Sequence, residues 1–224
     1  MNKKAYRQHF TLIEMLIVVG IASLLFALVG PSFQRMVKGN AVERHASGLK
    51  LGMERGRALA ISVRRYVAML LPSKTTGDSE TDKFRYGGYR LCYVTQENPD
   101  GTEGDKDNTK YFLDGWIPET EWTNNGKDEA YLLEIASSDD PKTVKDNDTK
   151  AADHTDNKKF TGEELLSTVK TTAGYLPALI FTPYGDIRGG SDDTELYFYV
   201  CGQYTYDRFK IRINKLTGKV EFVE

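Results

Sequence analysis

Histidine and cysteine, the residues that most often bind metals, relay protons or attack substrates, are scarce in this chain. Three histidines (His9, His45 and His154) and two cysteines (Cys92 and Cys201) are scattered through 224 residues. No Cys/His spacing of a zinc site occurs. A glycine-rich phosphate loop and a Gly-x-Ser-x-Gly nucleophile elbow are also missing. No catalytic residue, metal or cofactor is therefore expected, and an anchored enzyme is the weakest reading. So few cysteines exclude a disulfide framework. One bond between Cys92 and Cys201 stays open if the domain is exported; in the cytosol both would be buried thiols. The acidic tracts "NPDGTEGDKDN" and "KDNDTKAAD" lack the full spacing of an EF-hand loop, and they read as hydrated loops.

An overall excess of one charge is lacking too, with 30 basic and 32 acidic residues. The distribution is uneven. Residues 31–71 hold eight Arg or Lys against two acids, a net of +6, while residues 74–160 hold twelve against twenty, a net of −8. Such a split suggests different neighbours for the two parts. His45, in the first of them, is read as lying on a helix surface.

The front of the chain is unlike the rest. From Phe10 to Gly30 only Thr11, Glu14 and Ser23 are polar. As a helix this stretch would span roughly 31 Å at ~1.5 Å per residue, close to the ~30 Å hydrocarbon core of a bilayer. Lys3, Lys4 and Arg7 precede it without an acid, which keeps the leader cytoplasmic and sends the remainder across. A secretory signal, with an apolar region of roughly 7–15 residues, fits less well. Glu14 is the anomaly: a carboxylate at the centre of a membrane helix costs about 2.5–3.5 kcal/mol, less near an end, and it needs a partner.

"FTLIEMLIVVGIASLL" resembles the processing signal of type IV pilins and type II secretion pseudopilins. A short basic leader, Phe10, an acid at the fifth position from it and Pro31 at the twenty-second agree together. The resemblance implies that a prepilin peptidase cuts between His9 and Phe10 and methylates the new Phe10 amine. It also implies that Glu14 serves assembly by pairing with that amine on a neighbouring copy, and that Pro31 bends the helix. Where the family carries Gly or Ala before the cut, this chain has His9.

Residues 31–64 read as a continuing helix with an irregular apolar stripe of Phe33, Met36, Val37, Ala41, Leu49, Met53, Ala60 and Val63, weakened by Gly39, Gly48, Gly52 and Gly56. Strands are expected at Tyr66–Leu71, in "YGGYRLCYVT", "YFLDGWI" and "AYLLEIA", and in a closing meander of "ALIFT", "TELYFYVC", "YDRFKIRIN" and "KVEFV". Thr161 and Glu164 at capping-box spacing predict a short helix. Residues 96–159 read as an acidic insertion with a mobile, solvated tract at 137–159. In "DRFKIRINK", Arg208, Lys210 and Arg212 alternate with apolar residues, an inside/outside strand.

"RALAISVRRYVAML" and "LIFTPYGDIRGG…LTGKV", with the turn Phe181, Pro183 and Gly185, are similar to the globular domain of H-class minor pseudopilins. The expectation is thus an α+β, pilin-like chain: leader 1–9, transmembrane and assembly helix 10–30, helix 31–64, and an antiparallel β-rich domain 65–224. It would be a single-pass protein of a bacterial inner membrane with its domain periplasmic. Its partners would be other pseudopilins through the helix, the prepilin peptidase, the inner membrane and secreted protein cargo. The competing reading is a minor type IV pilin of pilus assembly or DNA uptake, supported by the basic face of Arg208, Lys210, Arg212, Lys215 and Lys219. The excess negative charge of the domain speaks against nucleic acid.

Overall fold

A computed structural model describes residues 11–72, 84, 87–96, 111–118, 120–124, 130–139, 162–189, 193–202 and 208–223; for residues 27–40 it describes the backbone alone. The helix α1 runs Leu12–Val63. Among the described residues eleven strands follow: β1 (Val67–Leu70), β2 (Gly88–Thr95), β3 (Tyr111–Trp116), β4 (Thr123–Asn124), β5 (Ala130–Ala136), β6 (Ser167–Thr171), β7 (Gly174–Phe181), β8 (Ile187–Arg188), β9 (Glu195–Gly202), β10 (Arg208–Asn214) and β11 (Lys219–Val223). The chain is mixed helix and sheet. It divides into two units, Met1–Val37 and Lys38–Glu224.

In the second unit the strands form two sheets rather than one meander. Strand β1 pairs with both β2 and β7, β2 with β3, β3 with β6 and β6 with β7. Those five strands close a ring, with β8 on β7 and β4 on β2. Ala68, Leu70, Cys92, Val94, Tyr111, Val169, Leu176, Ala178 and Ile180 make one apolar cluster contributed by the ring strands. Because side chains alternate along a strand, the neighbouring positions Val67, Met69, Leu91, Leu179 and Phe181 fall into a second cluster. They share it with Leu49 and Met53 of α1 and with Phe198, Ile211 and Ile213 of the other sheet. That sheet runs β11-β10-β9-β5, all antiparallel. The β3–β6 pairing is parallel; the chain leaves β3 for the second sheet, through β5, before it returns as β6.

Helix α1 packs along the stripe Ala41, Val42, His45, Ala46, Leu49, Met53 and Ala60, all buried, whereas Val63 is 39% exposed. Glycines on the same face act as contact points. A methyl at Gly52 would fall 2.6 Å from the Tyr89 ring and one at Gly56 2.8 Å from Phe181. Tyr89 also donates its hydroxyl to the Gly48 carbonyl at 3.0 Å. The glycines at 52 and 56 therefore allow the Tyr89 and Phe181 rings to approach the helix, which offsets their weak helix propensity.

Two other expectations change. His45 is buried, 1% exposed, and not on the helix surface. The short helix expected after Thr161 is a three-residue 3-10 turn, Glu163–Leu165, capped by Gly162 with no side-chain hydrogen bond, and Ser167 already begins β6. Thr161 itself, residues 140–159 and both acidic tracts weighed for calcium lie outside the described residues.

Candidate assembly site

Along the first unit the large apolar side chains described from Leu12 to Phe26 are exposed: Leu12 is 84% accessible, Leu16 65%, Leu24 64% and Phe26 80%. An uncovered apolar helix implies a covering medium or partner. Its polar side chains are satisfied within the helix. The Ser23 hydroxyl donates to the Val19 carbonyl at 2.8 Å. Glu14 accepts the Thr11 backbone N–H at 2.7 Å and the Thr11 hydroxyl at 2.8 Å, both on Oε2, while the Glu14 N–H donates to Thr11 Oγ1 at 3.3 Å. This is a capping box. Thr11–Glu14 has the spacing that sequence reading assigned to Thr161–Glu164, so Glu14 has a role in its own helix.

The cleavage pair His9 and Phe10 lies outside the described residues, as does the side chain of Pro31; the helical backbone passes through Pro31 without a break. Among the described residues no helix is long and apolar enough to cross a membrane. The expected span 10–30 extends past the described side chains at both ends.

At the end of the second unit, two turns meet the helix. The β7–β8 turn is tied by Thr182 N–H to the Asp186 carbonyl (2.9 Å), Gly185 N–H to the Thr182 carbonyl (3.0 Å) and a Thr182–Asp186 side-chain hydrogen bond. Arg57 of α1 donates Nε to the Gly185 carbonyl at 3.1 Å. Gly218, in the β10–β11 turn, has φ 62° and leaves no space for a methyl, which would overlap the Gly185 carbonyl and stand 2.8 Å from Arg57. The quoted turn Phe181, Pro183 and Gly185 is thus a junction that fixes helix to sheets.

Cys92 lies in the ring on β2 and Cys201 on β9 of the other sheet; both are buried and free, so the disulfide left open by the sequence is not formed. Burial pushes the Cys92 thiol up to about 12 and that of Cys201 to about 11, which leaves them unreactive. Among the described residues no cluster of His, Cys, Asp or Glu could hold a metal.

Three cations of the basic strand face are paired with acids. Lys210 pairs with Asp139 at 2.6 Å, Arg212 with Glu221 at 2.6 Å and Glu195 at 3.8 Å, and Lys219 with Glu221. Lys215 is buried and donates to the Gly189 carbonyl at 2.8 Å, and Arg208 is also engaged. Lys219 and Arg212 hold the Glu221 carboxyl down to about 2.

No family model and no curated protein matches the sequence. Among solved structures, the type IV minor pilin FimU of Pseudomonas aeruginosa is similar at 14% identity and a TM-score of 0.38, over 83% of this chain and 90% of that one. A likeness that weak leaves the function to be argued from the chain's own residues.

Proposed function

We propose that this chain is a structural subunit of a type IV pilin-like fibre, cut before Phe10 and held in the inner membrane by residues 10–30. More narrowly, it is a minor pseudopilin of a type II secretion system, acting in protein export with its β-rich domain in the periplasm. The observation that carries the reading is the exposed apolar helix Leu12–Phe26 with one carboxylate at its start. Residues 41–60 of the same α1 are built into a core. A subunit needs that division: one stretch for lipid and then for neighbours, and one stretch for its own domain.

Glu14 then does two jobs. Oε2 closes its own helix cap, and the remaining charge meets the freed Phe10 amine of a neighbour once water and lipid are excluded. The DNA-uptake alternative loses its main support, since the basic residues it invoked are paired or engaged. The two jobs of Glu14 separate by substitution. Gln at the third helical position still closes a capping box but carries no charge. Glu14→Gln and Glu14→Ala should both insert in the membrane, and neither should be recovered in cross-linked fibres. Normal co-assembly of Glu14→Gln would remove the ion pair from the account.

A further inference from the structure

Between α1 and the start of β2 lies a cleft of about 110 Å³, lined by Leu51, Gly52, Arg55, Tyr89, Arg90, Leu91, Thr120, Glu121 and Thr123. That volume is far below the roughly 300 Å³ of a small ligand pocket. It admits one short side chain.

Its polar lining is partly fixed in place. Arg90 donates Nε to the Thr120 carbonyl at 3.1 Å and lies 3.9 Å over the Trp116 ring. The Tyr89 ring is held by its bond to Gly48 and by contact with Gly52. The Thr120 hydroxyl is held by the Ile117 carbonyl at 2.6 Å. Arg55 and Glu121 are exposed at the cleft, and among the described residues no ion pair joins Arg55, Arg90 or Glu121 to an opposite charge. Two guanidinium groups and one carboxylate thus line one small space without neutralising each other. Leu51, 64% exposed, adds an apolar lip.

We propose that this cleft binds an acidic side chain, aspartate above all, presented by a peptide segment of another protein. The carboxylate meets Arg55 and the free edge of the Arg90 guanidinium, a planar donor set suited to carboxylate. Glu121 accepts a backbone N–H of the same segment, and an apolar neighbour of the aspartate rests on Leu51. The mixed signs select against inorganic phosphate and against a nucleic-acid backbone, because Glu121 repels a ligand that offers only oxygen. Pinning of Arg90 by Trp116 lowers the ordering cost of binding. This inference stands apart from the fibre reading: the cleft would recognise such a segment whatever the chain assembles into.

The test uses the full chain in detergent micelles, titrated with an acetylated, amidated hexapeptide alternating aspartate and leucine. Tryptophan emission is followed, since Arg90 covers Trp116. Saturable binding below millimolar is expected, at least tenfold weaker for the asparagine counterpart and at least tenfold weaker in Arg55→Ala, whose side chain is exposed. Glu121→Gln keeps an acceptor for the backbone N–H and removes the repulsion, so it should raise the affinity of inorganic phosphate by a larger factor than that of the peptide. The proposal is overturned by an absence of saturable binding, by equal affinity for the asparagine peptide, by an unchanged Arg55→Ala, or by phosphate displacing the peptide at equal concentration.

Discussion

His45 gives the sharpest test of the packing between helix and sheets. Its ring is buried on α1, and neither Nδ1 nor Nε2 has a hydrogen-bond partner among the described residues. Burial pushes its pKa from the ordinary 6.5 down to about 4. The unfolded chain therefore takes up a proton on His45 near pH 6.5, while the folded chain refuses it until about pH 4. Stability from this residue is complete above pH 6.5 and is lost as pH falls from there through 4. The full loss is about 3 kcal/mol, from about 1.36 kcal/mol for each pH unit that separates folded from unfolded titration, and about 2 kcal/mol of it is gone by pH 5. His45→Leu removes the titration and two unsatisfied nitrogens while keeping similar volume, so it should cost little at pH 7.5. Urea unfolding of both proteins in micelles at pH 7.5 and 5.0 makes the comparison. Wild type should lose about 2 kcal/mol more than the variant between the two values. Equal losses would refute the burial of His45.

The junction of turns and helix yields a paired prediction. Gly218→Ala should lower stability by about 2–4 kcal/mol, combining left-handed strain with overlap at the Gly185 carbonyl. Gly174→Ala, at φ 107° with nothing nearby, should cost only about 1 kcal/mol of strain; equal urea midpoints for the two variants would contradict the close approach. The cysteines should resist a thiol-specific reagent at pH 8 in the folded protein and react on unfolding. Rapid labelling of native protein, or a mass two hydrogen atoms lighter than the dithiol, would show that Cys92 and Cys201 are not buried free thiols.

Most strands were legible because their residues alternate or form short β-branched and aromatic runs bounded by turns, as in "YGGYRLCYVT" and "DRFKIRINK". What eluded sequence was long-range. "STVKT" is polar and short, and it becomes β6 only because β3 and β7 flank it. Closure of the ring depends on β1 pairing on both edges, which no local pattern announces. Glycines four residues apart were read as helix weakeners, because their value lies in the Tyr89 and Phe181 rings they admit. His45 misled for the same reason: its position on the stripe beside Val42, Ala46 and Leu49 outweighs the polarity of its ring. At the candidate site the apolar run and Glu14 are plain in the sequence. The cap between Thr11 and Glu14 was not drawn, although its spacing was recognised at Thr161, where the described chain shows a glycine-capped turn instead.

The fibre account rests on a free, methylated amine at Phe10 that can meet Glu14 of the next subunit. Mass spectrometry of the N-terminal peptide, taken from the protein in its own cells, reads that directly. The account predicts a chain beginning with N-methyl-phenylalanine at Phe10. Native protein that still carries Met1 through His9 would contradict it.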